Sequence, residues 1–522
     1  MEGAALTRRG LLVGIGAAGG AGAMYAAMGA LGLAPSEQDK AFTPPRPGDF
    51  TLRGRAAASV VILGAGVAGL TAAYELGKAG YDCTVLEARA EAGGRNLTLR
   101  GGDRLTELRG PAQEVRFGEG VYFNAGPGRI APWMVTLDYC RELGIPIETF
   151  VNRNAAAYVH TNGQTLRART AQADMYGYVA ELLAKATDLG ALDKMITKDD
   201  RERLLDFLRR FGDLGPKLEY AGSERRGFTE FPAIGAGTPI TAPGSLHQVL
   251  AAGTGHAITN DFGYDQATPM FQPVGGMDAI VTKLVEAVGA DRIRTGARVT
   301  KITTLADGVE VTYTRGTGGT GGTLKADYCI AALPPHLLAR IPHNLGAQVT
   351  AALRTPVPVP AGKIGLEYGI RWWELEDRIY GGVTETDLDI THIWYPSHGY
   401  HSERGLLVGY YNTDENAELY AALTPDDRRR RALTQGKKIH GEKYRQNVLS
   451  SASIAWERQE HIEGGWVRWP SVDSSFTLLQ RPAGRVYFAG DWLTHLIAWQ
   501  AGAMESARGV VTELHERVLR SP

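Results

Sequence analysis

Three glycines carry the first sign of chemistry in this chain. Gly64, Gly66 and Gly69 stand in the spacing G-x-G-x-x-G directly after the apolar run 60–63. Gly64 permits a tight turn out of a strand, Gly66 lets a pyrophosphate approach the backbone, and Gly69 lets the next helix pack close on a sheet. The N-terminus of that helix offers free N–H groups and a partial positive charge to phosphates. Glu87 follows about 20 residues on, where a carboxylate accepts hydrogen bonds from a ribose and repels a 2′-phosphate. Ala88, Arg89 and Gly93-Gly94-Arg95 come next. Two arginines around a Gly-Gly turn suit a second loop facing phosphate.

The elements that must position these residues surround them. Residues 60–63 are rich in β-branched side chains, the mark of a buried parallel strand. Ala72, Ala73, Leu76 and Ala79 recur at helical spacing, Gly80 supplies a stop, and residues 82–86 read as a second strand ending at Glu87. This strand–turn–helix–strand setting is what a lone Gly-rich motif lacks.

Residues 87–95 read E-A-R-x-x-x-G-G-R and resemble the second signature of the flavoprotein amine oxidase family. In that family the segment wraps the FAD pyrophosphate and reaches the flavin edge, so the resemblance implies FAD rather than NAD. Residues 121–132 (VYFNAGPGRIAP) resemble the G-P-M-R-x-P segment of the L-amino-acid oxidases, with Gly128 where Met is usual and an extra Ala131 before Pro132. The arginine there binds the substrate carboxylate, which assigns that role to Arg129. A guanidinium fork holds a carboxylate by two parallel charge-assisted bonds. The plainer alternative is a surface arginine on a turn.

The resemblance extends through the rest of the chain. Lys363, in residues 361–368 (AGKIGLEY), matches a family lysine that holds a water near flavin N5; an edge lysine with its head in solvent is the alternative. Tyr395, before Pro396-Ser397, matches a second carboxylate ligand, or else packs in a hairpin. Residues 271–277 (FQPVGGM) resemble a family turn that restores the cofactor domain before a helix over 279–288. Val299 matches the position whose backbone meets the adenine. Residues 486–491 (VYFAGD) and the helix expected over 497–510 resemble the C-terminal FAD signature. That places Asp491 by the ribityl chain or pyrophosphate and Trp499 as a wall beside the flavin, with Gly502 and Ala503 keeping the helix start small. The covalent branch of the family has a cysteine just before this helix. None occurs here, so the FAD is expected to be non-covalent.

The expected fold is α/β with an α+β substrate part. A discontinuous, Rossmann-like FAD domain spans 57–100, 268–340 and 480–522, and a mixed-sheet substrate domain spans 101–149 and 341–479. A helical insertion occupies 150–267, with helical spacing over 178–189 and 201–211. Residues 298–304, 308–315 and 324–333 read as three strands.

Composition bounds the remainder. The chain has 522 residues, a net charge of −1 and 44% hydrophobic residues, enough for two or three domains with real cores. A near-neutral chain leaves no footprint for nucleic acid or anionic lipid. Cys83, Cys140 and Cys329 form no C-x-x-C pair and read as core thiols; the histidines show no metal-ligand spacing, so no metal is expected. Arg8-Arg9 precede a charge-free stretch over 10–34 with small residues at Gly32-Leu33-Ala34. Residues 1–34 therefore resemble a twin-arginine export signal, followed by a linker over 35–56, which implies a periplasmic or secreted protein. An uncleaved membrane anchor is the alternative. No other stretch is long and apolar enough to span a membrane.

The resemblance implies an L-amino-acid oxidase that takes hydride from its substrate to flavin N5 and yields a 2-oxo acid, ammonia and hydrogen peroxide. The partners are then a small amino acid and O2, and relatives of this kind often form homodimers. An amine or polyamine oxidase, an amino-acid 2-monooxygenase and a non-catalytic flavin-binding protein are the alternatives. Trp394, Trp466, Trp469, Trp492 and Trp499 suggest room for large side chains or, more plainly, core packing; residues 460–463 (EHIE) would favour basic substrates if they point inward.

Overall fold

The apolar run before Gly64 forms strand β1 (Ser59–Leu63), the Gly-rich turn leads into helix α1 (Val67–Lys78), and the chain returns as β2 (Asp82–Leu86). The computed structural model describes residues 50–54, 56–240, 242–259, 263–316 and 319–520. The expected export signal and most of the expected linker lie outside them. The chain divides into two compact units, Ala155–Gly263 and the remainder of the described chain. The spans expected for the FAD and substrate domains both fall in the second unit.

The unit Ala155–Gly263 holds a hairpin (Tyr158–Thr161 with Gln164–Arg167) and two long helices, α2 (Ala168–Asp188) and α3 (Lys198–Gly212). Thr197 and Asp200 form a capping box at the start of α3. Ala180 and Ala184 of α2 meet Leu208 of α3 and Leu218 in a small core. A buried pair, Arg226 Nε to Asp174 Oδ1 at 2.6 Å, ties the chain after α3 back to α2. Both helices are longer than their expected spans of 178–189 and 201–211.

The other unit continues through helix α4 (Ala279–Val288) and strands β3 (Ile293–Arg294), β4 (Ala297–Thr304), β5 (Val309–Arg315), β6 (Gly322–Ala326) and β7 (Tyr328–Ala331). Next come β8 (Ala361–Tyr368), β9 (Gly382–Thr386), β10 (His392–Tyr395), β11 (Gly405–Thr413), helix α5 (Pro425–His440) and β12 (Val448–Ala455). The chain closes with β13 (Val486–Phe488) and helix α6 (Gln500–Arg520).

A parallel sheet in the order β3-β2-β1-β7-β13 is buried on both faces. Val60, Ile62, Val85 and Ile330 pack with Leu70 of α1, Leu284 of α4 and Met504 of α6. Val61, Leu63, Cys329 and Phe488 face the other way, onto Ile302 and Val311 of the antiparallel meander β4-β5-β6. Each such side chain stabilises the fold by about 1.5–3 kcal/mol. The three cysteines are buried, and burial pushes the thiols up, to about 12 for Cys83 and Cys140.

Two expectations are corrected here. The single strand expected over 324–333 is two strands that join different sheets. Asp327 divides them because its carboxylate accepts both the N–H and the hydroxyl of Ser59, each at 2.7 Å. The last helix begins at Gln500, not at 497. Ala498 is in the left-handed region (φ 69°) and donates its N–H to Asp491 Oδ2 at 2.9 Å, so residues 497–499 form a turn. A second sheet, antiparallel in the order β12-β8-β11-β10-β9, completes this unit. Among the described residues no helix is long and apolar enough to cross a membrane.

Candidate active site

A cavity of about 790 Å3 lies beyond the carboxyl ends of β1, β2, β7 and β13, where Gly64, Glu87, Ala332 and Ala489 line it. Open α/β sheets bind ligands at that edge. The three glycines there have separate physical reasons. Gly64 has φ 97°, and a Cβ on it would sit 2.8 Å from the Ala332 carbonyl oxygen. A Cβ on Gly69 would sit 2.0 Å from the Gly64 carbonyl oxygen, so close helix–sheet packing demands glycine. A Cβ on Gly66 would meet nothing within 4 Å. The fold alone leaves that position free, and a glycine there suits the close approach of a ligand.

The phosphate-facing end follows from backbone chemistry. The first turn of α1 has no side-chain cap and no acid, and Val67 and Ala68 line the cavity. The first turn of α6 also lacks an acid, and Gln500 and Ala503 line the cavity there. Two helix N-termini thus favour an anionic ligand. Glu87 Oε2 accepts the N–H of Ala65 and its Oε1 the N–H of Arg89, both at 2.8 Å, which fixes the two loops to each other. Arg89 Nη1 donates to the Gly94 carbonyl at 2.9 Å and braces the Gly-Gly turn. Arg95 forms a two-pronged pair with Asp491, with Nη1 to Oδ2 at 3.2 Å, and also donates to the Gly465 carbonyl at 2.9 Å. Ala88 and Val299 line the cavity between these groups. Gly502 does not line it: a Cβ there would sit 2.2 Å from the Leu496 carbonyl oxygen, so the preceding turn requires this glycine.

At the other end Arg129 is stacked between indoles. Its guanidinium carbon lies 4.6 Å from the Trp394 ring centroid and 5.8 Å from that of Trp499. Nη2 donates to Gln266 Oε1 at 3.4 Å, and Asn152 holds the same oxygen at 3.1 Å. Lys363 is only 4% exposed, which removes the alternative of a solvent-facing head. Its Nζ donates to the Gly126 carbonyl and, at 3.4 Å, to that of Asn124, and sits 4.6 Å from the Tyr411 ring centroid and 5.0 Å from that of Trp394. No carboxylate pairs with it among the described residues. Burial, aided by the nearby Arg129 charge, lowers its pKa to about 7.

Tyr395 is not brought to this site, which corrects its expected role as a carboxylate ligand. Strand alternation explains the placement. Trp394 faces the cavity from β10, so its neighbour Tyr395 points to the opposite face. There the Tyr395 hydroxyl meets Thr384 Oγ1 and His440 Nε2, each at 2.8 Å, and His440 Nδ1 meets Asp377 Oδ2 at 2.9 Å. The phenol that lines the cavity is Tyr411 of β11. Periodicity gave no signal for it, because most of β11 is buried on both faces. Asp265 and Gln266 also line the cavity, from within the span 150–267 expected as the helical insertion. Trp394, Trp466, Trp492 and Trp499 line it too, whereas Trp469 stands behind, stacked on Trp492 at 6.4 Å. Of residues 460–463, His461 and Ile462 line the cavity while Glu463 pairs with Arg340 at 2.6 Å.

This chain belongs to the flavin-containing amine oxidoreductase family, whose model matches residues 67–515. An L-amino-acid oxidase of Bothrops pauloensis is 27% identical over 474 residues, covering 86% of this chain and 87% of that protein. Two solved structures share the fold. A cyclohexylamine oxidase from Brevibacterium oxydans IH-35A has a TM-score of 0.61 at 17% identity, covering 89% of this chain and all (100%) of that one. A putrescine oxidase bound to putrescine has a TM-score of 0.58 at 19% identity, covering 89% and 99%. The flavin that names the family fits the cavity: Gly66 faces open space, and two helix N-termini with no acid in their first turns look onto it.

Proposed function

We propose that this flavoenzyme is an L-amino-acid oxidase that binds FAD non-covalently. The observation that carries this reading is Arg129, set in the cavity wall between Trp394 and Trp499 and beside the buried Lys363. An indole face beside a guanidinium restrains its plane before substrate arrives, which suits Arg129 to a carboxylate. Gly66, Glu87, Ala88, Arg89, Gly94, Arg95, Val299 and Asp491 line the part of the cavity that would hold the dinucleotide.

When bound, FAD would supply the acceptor for the α-hydrogen as the carbon–nitrogen bond is oxidised, with O2 as the final acceptor and hydrogen peroxide as product. The chain's own residues do the rest. Arg129 holds the carboxylate, and the indoles of Trp394 and Trp499 exclude water from the bound amino acid. Lys363, with its pKa lowered to about 7 by burial, would carry or release a proton at Nζ near neutral pH. The relative from Bothrops pauloensis, named as an L-amino-acid oxidase, supports the same reading. An amine oxidase is the second reading, favoured by the aromatic box of Trp394, Tyr411 and Trp499 and by the two solved neighbours. We further propose export by the twin-arginine route, on the strength of Arg8-Arg9 and the charge-free stretch after them.

Peroxide release from the purified yellow protein, measured on L-amino acids, their D-enantiomers and the matching amines, tests the reading. Peroxide from L-amino acids alone is expected. Peroxide from amines alone would make the second reading correct.

A further inference from the structure

Three acidic residues line the cavity: Glu87, Asp265 and Asp491. Glu87 gives both oxygens to backbone N–H groups, and Asp491 is paired with Arg95. Asp265 is held differently. Its Oδ2 accepts the indole N–H of Trp499 at 3.0 Å, and it pairs with no arginine or lysine among the described residues. A neutral oxygen would serve an indole N–H equally well, as Gln266 next door serves Asn152. A carboxylate at this point leaves a negative charge on the wall of the substrate end. Its place is set by Trp499, because Arg129 lies over the ring of that indole and Asp265 takes its N–H edge.

Resting on the amino-acid reading above, we infer that Asp265 receives the cationic side-chain head of L-lysine, L-ornithine or L-arginine, so that basic L-amino acids are the preferred substrates. The α-ammonium of any amino acid stays beside the carboxylate that Arg129 holds. Only a cation on the side chain extends away from Arg129 along the indole. A charged head entering a largely apolar cavity needs a partner, and a carboxylate already in place meets that need. A neutral side chain of the same length leaves that carboxylate desolvated and is rejected for it.

The test compares kcat/KM for L-lysine and for L-norleucine, which is lysine without its ε-ammonium, in the FAD-loaded wild type, Asp265→Asn and Asp265→Glu. An asparagine oxygen still accepts the Trp499 N–H, so the fold and the flavin content are expected to stay. The wild type should prefer lysine by about tenfold or more. Asp265→Asn should lose about thirtyfold or more on lysine and hold or gain on norleucine, because the carboxylate that rejects a neutral side chain is gone, and Asp265→Glu should keep part of the lysine preference. An equal fall on both substrates would give Asp265 a role in holding Trp499 or the α-ammonium and overturn the inference. So would equal rates on both in the wild type, although the amino-acid reading would then stand. Silence on every L-amino acid would overturn both.

Discussion

The Arg129 guanidinium carbon sits 4.6 Å from the centroid of the Trp394 indole, and Gly128 is the residue that admits this stack. A Cβ on Gly128 would lie 2.9 Å from Cζ3 of that indole. The glycine that departs from the pattern of the L-amino-acid oxidases therefore matches a tryptophan brought in from β10. Gly128→Met should push Trp394 off the arginine. We expect KM for the amino acid to rise about tenfold, with kcat less affected, and stability to fall by about 1–3 kcal/mol. Steady-state kinetics and a thermal melt read the two effects separately, and an unchanged KM would remove Trp394 from the binding site.

Tyr395→Phe makes the opposite case. Its hydroxyl touches Thr384 and His440 on the face of β10 away from the cavity. The variant should lose about 1–2 kcal/mol of stability through those hydrogen bonds and leave KM as it was. A clear rise in KM would return Tyr395 to the carboxylate site.

These two residues show where the sequence was legible and where it was not. The β1–α1–β2 unit could be read because each of its glycines answers a local demand, a turn or a close approach, that spacing alone reveals. Arg95 and Asp491 are each legible from their own motifs, but their pairing is not, since it joins positions 396 residues apart that only the folded sheet brings together. Tyr395 is one residue out of phase with the cavity, which Trp394 lines instead. In β10 two large aromatics stand side by side, so polarity cannot say which of them faces a cavity. Tyr411 and Asp265 left no local pattern, because the packing of distant segments decides what lines a cavity.

Lys363 gives the protein a defined response to pH. Its pKa is about 7 in the fold, against 10.5 ordinarily, and burial is the main cause. Between those values the unfolded chain binds a proton that the folded chain does not, so stability rises with pH from about 7 to about 10.5. Below pH 7 the penalty of the buried charge is present in full. Lys363→Met removes it. Relative to the wild type, the variant should therefore gain about 2–4 kcal/mol more at pH 6 than at pH 9.5 in denaturant unfolding. A difference that does not change with pH would mean that the lysine is charged throughout.

Gly66 and Gly69 separate what the fold requires from what the flavin requires. A Cβ at position 69 would collide with the Gly64 carbonyl oxygen at 2.0 Å, and backbone cannot yield there as a flexible side chain can. Gly69→Ala should therefore destabilise the protein whether or not flavin is bound, by about 1–3 kcal/mol. At Gly66 there is no protein atom for a Cβ to meet, and the residue adopts extended backbone open to any amino acid (φ −76°, ψ 178°). Gly66→Ala should leave the melting temperature of the flavin-free protein unchanged. Flavin titration followed by fluorescence should nevertheless show binding weakened by about tenfold or more, since the methyl group occupies the space through which a pyrophosphate reaches the helix N-terminus. If Gly66→Ala bound flavin as tightly as the wild type, the dinucleotide would have to lie elsewhere along the sheet edge, and the roles given to Arg95 and Asp491 would move with it.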